Sequence, residues 1–555
     1  MRKTLLALAA LLASSSALAD TLIDNVNGIQ VDAHGKLERF TGILIGDDGK
    51  VVQLIRANDE KRLANIRSRI DGGGRTLLPG LIDAHGHVMG LGFSALQLDL
   101  TGTTSLTDLQ ARLKAYAAAN PDARWIVGRG WNQELWPRNE QRFPTSADLD
   151  AVVSDRPVVL TRVDGHALVA NSAAMRAAGV TSATPAPSGG RIENGLFVDA
   201  AMPLIETKIP DPTSTEYDAA LAKAQQMMLS VGLTAAADMG TSADDWAAMN
   251  RAARAGKLNV RVINYAGGIE AMRAIHGGKP NKGLEGDRLS PVGVKLYADG
   301  ALGSRGAWLK RPYHDKPDTR GLQFLTDAQL LEQANEAASA GFQLAIHAIG
   351  DAANAQVIST YEQLAKKYPG DRRWRIEHFQ IADPADIPRL KPAGIIASMQ
   401  PTHQTSDRLM AEKRLGPDRL DGAYAWQSVL KSGARIAFGS DFPVESPNPF
   451  PGLAAAISRQ DMNGQPPGGW IPEERVSFEQ ALAGFTRGAA YAGFAEDKIG
   501  SLEPGKWADF IIIDRDPTRI DPQALARTQV LETWVAGKKA WERASAPGAG
   551  AERGR

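Results

Sequence analysis

Between about residues 75 and 490, short apolar runs bounded by glycine alternate with Ala-rich stretches of mixed polarity. The apolar runs at 76–82, 292–297, 342–346 and 434–440 have the length of buried strands, and 221–228, 327–339 and 352–367 have helix-compatible composition. Such alternation predicts a parallel α/β core. The flanks read differently. Residues 28–31, 41–45 and 50–55 are short strand-like pieces separated by turn residues such as Asp47-Asp48-Gly49, too few to bury a core alone. Residues 508–514 and 528–535 supply further strands at the far end, so the two flanks predict one composite β-sandwich over 20–75 plus 491–543. The Ala-, Gly- and Pro-rich tail 544–555 is expected to be disordered.

The chain of 555 residues exceeds the usual size of one core. It begins Met1-Arg2-Lys3-Thr4, continues through the apolar residues 5–12 and reaches Ala17-Leu18-Ala19 before Asp20. A basic start, a short apolar middle and a small-x-small site predict a signal peptide over 1–19, cleaved after Ala19, and a periplasmic or secreted product. No later apolar run is long enough to span a bilayer. With no cysteine, disulfides and thiolate ligands are excluded, which leaves His, Asp, Glu or a modified Lys to bind any metal. Sixty-three basic residues balance 63 acidic ones without a basic stripe, so a small molecule is the expected partner and nucleic acid is not. The oligomeric state leaves no sequence signal.

Chemistry enters at Asp83-Ala84-His85-Gly86-His87, where two imidazoles two residues apart on an extended segment point to the same side. Downstream, Lys295, His347, His378 and Asp441 each sit at or just past the end of a strand-like run. Polar residues delivered by the C-terminal ends of successive strands are the distribution of a (β/α)8 barrel, predicted here over 76–490. The stretch exceeds a plain barrel of about 250 residues, and the excess is placed within about 100–230, in a Pro- and Trp-rich insertion. Imidazole and carboxylate are ordinary zinc ligands, whereas the ammonium of Lys295 cannot bind a cation.

The run 78–87 resembles the start of the amidohydrolase superfamily barrel, and 501–510 resembles the return of that chain into its β-sandwich. Gly130-Trp131-Asn132, Asp164-Gly165-His166-Ala167, Val294-Lys295-Leu296-Tyr297-Ala298-Asp299-Gly300, Gly303-Ser304-Arg305, His347-Ala348-Ile349-Gly350-Asp351, Ile376-Glu377-His378 and Gly439-Ser440-Asp441-Phe442-Pro443 narrow the resemblance to amidohydrolase family 3, the branch that contains N-substituted formamide deformylase. The resemblance implies a distorted TIM barrel and a metal-dependent hydrolase acting on amide-like C–N bonds outside peptides, usually with zinc.

It also implies roles. His85 and His87 hold a buried metal, with Asp441 coordinating it or accepting a proton from the attacking water. His347 and His378 hold a second ion or complete the shell of a single one, and carbamylated Lys295 bridges two. Zinc is expected, although manganese or iron suits the same donors. Metal-bound water has a pKa of roughly 7, and a carboxylate shuttling its proton to the leaving nitrogen contributes on the order of 10²–10⁴ in rate. His166 and Arg305 are candidate oxyanion donors. Trp131, Trp136 and Tyr297 are candidate walls of an apolar substrate pocket, and His403 a candidate substrate contact. Competing expectations keep the fold but hydrolyse an ester or lactone or deaminate an amidine, or retain the barrel as a non-catalytic binding protein.

Overall fold

The computed structural model describes residues 19–56, 66–163, 165, 167–181, 183–187 and 190–544. The signal-peptide stretch 1–18, His166 and the tail from 545 lie outside the described residues. The chain divides into two compact units, one of residues 1–88 and 225–555, the other of Met89–Ala224.

In the larger unit eight parallel strands form a barrel: β1 (Leu81–Gly86), β2 (Leu233–Thr241), β3 (Arg261–Gly267), β4 (Leu289–Tyr297), β5 (Gln343–Ala348), β6 (Arg375–His378), β7 (Ile396–Met399) and β8 (Arg435–Phe438). They pair in chain order from β1 to β8. The ring closes just past β8, where Asp441 N donates to His85 O at 2.7 Å and Gly86 bridges Phe442. That closure needs Gly439, since a Cβ there would lie 2.5 Å from His85 N and from Asp83 Oδ1. The strands are buried along nearly their whole length, as a sheet covered on both faces requires. Helices Asp327–Ser339 and Asp351–Lys367 precede and follow β5, and the first starts at a Thr326–Gln329 capping box.

The composite sandwich is present. One sheet of four strands places Ala19–Asp24 between Gly42–Gly46 and Ser68–Asp71. The other, of six, places Phe510–Ile513 between Thr76–Pro79 and Val530–Val535. Their shared core joins Ile23, Ile43 and Leu54 to Leu77, Phe510 and Trp534, the last two stacked with ring centroids 5.1 Å apart. The run 76–82, read as one strand, is therefore two: Thr76–Pro79 belongs to the sandwich and Leu81–Gly86 to the barrel. They break at Gly80, where a Cβ would collide with Thr234.

The smaller unit has its own six-stranded mixed sheet, in the order Gly190–Glu193, Leu196–Asp199, Ala167–Ala170, Val158–Arg162, Ile126–Trp131, Leu98–Asp99. Trp131 and Trp136 are core residues of this unit rather than pocket walls. Both are buried among Leu109, Leu149 and Leu160, and their indole N–H groups donate to the carbonyls of Leu160 (2.8 Å) and Thr103 (3.0 Å). An indole that has found a backbone acceptor inside an apolar cluster is fully engaged in packing. Among the described residues no helix is long and apolar enough to cross a membrane.

Candidate metal centre

The C-terminal ends of the barrel strands bring His85, His87, Lys295, His347, His378 and Asp441 to one cavity of about 400 Å³. His85 Nε2 lies 3.5 Å and His87 Nε2 3.0 Å from Asp441 Oδ1, and Lys295 Nζ lies 3.3 Å from His85 Nε2. The rings of His85 and His347 each lie 4.6 Å from that of His378. Two of these residues sit in left-handed backbone, His378 at φ 75° and Asp441 at φ 62°. For residues other than glycine that conformation costs about 1–3 kcal/mol and persists where the surroundings over-determine it, a habit of functional sites.

Two groups of donors have their ligand atoms within 4.8 Å of one another: His85, His87 and Asp441, and His378, His403 and Asp441. The second group contains His403 where the sequence pointed to His347. His403 lies in the helix Pro401–Leu415 that follows β7, with Nε2 3.8 Å from Asp441 Oδ2. Its ring is stacked 6.1 Å from that of His378. His347 Nε2 instead lies 3.4 Å from Asp299 Oδ1, a carboxylate that also accepts from the N–H groups of Trp308, Ile349 and Gly350. Nε2 of both His347 and His403 is buried without a hydrogen-bond partner among the described residues. Buried imidazole nitrogens without partners are unusual unless something else engages them.

The protonation states suit a cation. Burial, and then the Lys295 charge, lower His85 to about 4, so its imidazole is neutral near pH 7. Burial likewise takes His347 to about 3 and His378 well below the usual range. Burial pushes Asp441 up, but the imidazoles of His85, His87, His378 and His403 outweigh it and hold the carboxyl well below the usual carboxylate range. Burial lowers Lys295 to about 8 against the pull of Glu377 and Asp441. The neutral imidazoles of His85, His347 and His378 beside an ionised carboxylate are what a divalent ion requires, so the residues present fit one.

Tyr297, half exposed beside Lys295, lines the cavity, and so does His403. Arg305 does not. Its guanidinium forms a two-pronged ion pair with Asp315 at 3.2 and 2.8 Å, which takes up the donors an oxyanion would need. Sequence reasoning passed over Glu377, which contacts His85 from beneath, and Asp407 on the cavity wall, which accepts from Tyr424 Oη at 2.9 Å. Glu377 adjoins His378 in sequence, the one signal that could have marked it.

The amidohydrolase family matches residues 69–540. The chain belongs to that family. It is 33% identical over 486 residues to the putative amidohydrolase YtcJ of Bacillus subtilis, covering 85% of this chain and 90% of that protein. It is 28% identical over 552 residues to N-substituted formamide deformylase of Arthrobacter pascens, covering 95% and 99%. Among solved structures, an uncharacterized metal-dependent hydrolase of Pyrococcus horikoshii superposes with a TM-score of 0.76 at 27% identity, covering 90% of this chain and 99% of that one. The family and the His/His/Asp cluster together support hydrolysis of C–N bonds.

Proposed function

We propose that this amidohydrolase cleaves a small N-substituted amide, formamide or cyclic amide, with zinc as its metal. The observation that carries the reading is the His85–His87–Asp441 cluster at the mouth of the barrel, inside a cavity of about 400 Å³, a size suited to a small molecule. Likeness to N-substituted formamide deformylase over 95% of the chain supports the choice of bond. When bound, a divalent ion supplies Lewis acidity toward the carbonyl and brings the pKa of its water toward roughly 7.

The protein's own residues do the rest. His85 and His87 offer imidazole nitrogens from one strand end. Asp441, ionised and within reach of His87, accepts the proton of the attacking water and passes it to the leaving nitrogen. His403, with Nε2 3.8 Å from Asp441 Oδ2, orients ligand or substrate there. Lys295 is carbamylated: with a pKa of about 8 a usable fraction is neutral amine near pH 7. That amine attacks carbon dioxide, a C–N bond forms and one proton leaves, giving an anionic oxygen donor where an ammonium would repel the ion.

The test is a panel of N-substituted formamides, cyclic amides, esters and lactones given to metal-quantified protein. Metal-dependent release of amine from the first two classes is expected, and turnover of esters or lactones alone would sink the assignment of the bond. We also propose that the chain is exported and cleaved after Ala19. The basic start, the apolar residues 5–12 and the small-x-small site Ala17-Leu18-Ala19 support the reading. N-terminal sequencing should find Asp20 first, and a mature product retaining Met1 would contradict export.

A further inference from the structure

Beneath the cavity floor lies a polar relay that the proposed reaction does not use. Glu377, on β6, is completely buried, and its Oε2 lies 2.6 Å from His85 Nδ1. The same carboxylate accepts two hydrogen bonds from Arg375, Nε at 2.8 Å and Nη2 at 3.1 Å. Arg375 is pinned in turn to three other strands: Nη1 donates to Tyr265 Oη at 2.9 Å on β3, Nη2 to Ser398 Oγ at 2.9 Å on β7 and to the Ala84 carbonyl at 2.5 Å on β1.

A carboxylate held by a guanidinium can only accept, so the proton of a neutral His85 ring must sit on Nδ1. Nε2 then keeps its lone pair, and it is the atom that faces Asp441 and Lys295. A buried ion pair is a poor way to gain stability, because an apolar pair of similar volume often does as well or better. The pair's geometry does something an apolar pair cannot, which is to choose a tautomer and fix a ring plane.

We propose that Glu377 is the positioning residue of the metal centre: it fixes His85 as the Nδ1–H tautomer and aims Nε2 at the ion, with Arg375 clamping the carboxylate in place. Partners of this kind behind a metal-binding histidine set ligand orientation and basicity, and their loss typically costs 10–100-fold in metal affinity. The proposal rests on the metal-centre reading only for its consequence, since the tautomer is a property of the metal-free protein as well.

The test combines Glu377→Gln with two readouts. The amide keeps the size of the side chain but can turn either its oxygen or its NH₂ toward Nδ1, so the tautomer is no longer enforced. Zinc titration against a chelating indicator, on protein shown to be folded by circular dichroism, should give 10–100-fold weaker binding. Nitrogen-15 spectra of histidine-labelled protein should show His85, assigned by its absence in His85→Asn, as Nδ1–H in the wild type and as a tautomer mixture in the variant. A folded E377Q protein that binds zinc within twofold of wild type, or that loses stability while keeping affinity and tautomer, would reduce Glu377 to a structural partner of Arg375 and overturn the proposal. Should E377Q not fold, the wild-type spectrum decides alone, and an Nε2–H signal from His85 refutes it. Wild-type protein that binds no zinc would instead defeat the metal-centre reading.

Discussion

His87 Nε2 lies 3.0 Å from Asp441 Oδ1, although 354 residues separate them in the chain. The contact exists because the segment after β8 folds back over the end of β1, and it places one ionised oxygen beside one imidazole with a second oxygen left for other work. Asp441→Asn keeps the volume and one oxygen but cannot take up a proton at neutral pH. Steady-state kinetics of the metal-saturated variant should show kcat lower by about 10² or more, with KM changed much less. Near-normal kcat would remove Asp441 as the acid/base.

His85→Ala and His87→Ala should both strip metal and abolish turnover while the fold survives, since the apolar core of the barrel does not depend on an ion. The two differ in stability. His85 is completely buried and His87 is not, so His85→Ala leaves a cavity and the larger loss in denaturant midpoint. Elemental analysis alongside unfolding curves would check both.

The second donor group predicts a division of labour between His403 and His347. His403→Ala should lower the metal-to-protein ratio of fully loaded enzyme, because its Nε2 is within ligand distance of the His378–Asp441 pair. An unchanged ratio with a raised KM would return His403 to substrate contact. His347→Ala, assayed the same way, is expected to disturb the ratio less.

Lys295→Ala should lose metal and most activity, and a short carboxylic acid in the buffer should restore part of both by filling the vacated space. Carbon-13 NMR of wild-type protein in labelled bicarbonate should show a carbamate signal that is absent from the variant. Active enzyme with an unmodified lysine and one ion would refute the bridge.

A stability prediction lies far from the chemistry. Arg261 on β3 and Asp509, at the start of the returning C-terminal segment, form a buried two-pronged pair at 2.7 and 3.0 Å. Asp509→Ala strands the guanidinium and should cost about 3–5 kcal/mol in chemical unfolding, with zinc affinity of the folded protein unchanged.

Much of the site was legible because barrel chemistry collects at strand ends, and His85, Lys295, His347, His378 and Asp441 each terminate an apolar run. His403 was harder to place. It lies on the first turn of a helix rather than at a strand end, and its orientation depends on how that helix leaves β7. Gly80 hid the junction of sandwich and barrel, because residues on either side are equally apolar and only the collision with Thr234 shows why the chain must break there. Trp131 and Trp136 looked like pocket walls for the same reason that they are core: large aromatic surface has both uses, and composition does not distinguish them. Arg305 was misjudged because its partner Asp315 is ten residues along a loop with no periodicity to reveal the pairing.

The strand Phe510–Ile513 is threaded between Thr76–Pro79 and Val530–Val535. During synthesis Thr76–Pro79, flanked early by Asn27–Val31, therefore waits for its second neighbour, which emerges more than four hundred residues later. Pairing across such a separation carries a heavy loop-closure cost and is slow. Until it forms, Thr76–Pro79 has Asn27–Val31 on one side and an unpaired edge on the other. Lateness of closure thus works as a timer set by topology, and moving 510–535 toward the N-terminus by circular permutation would shorten it.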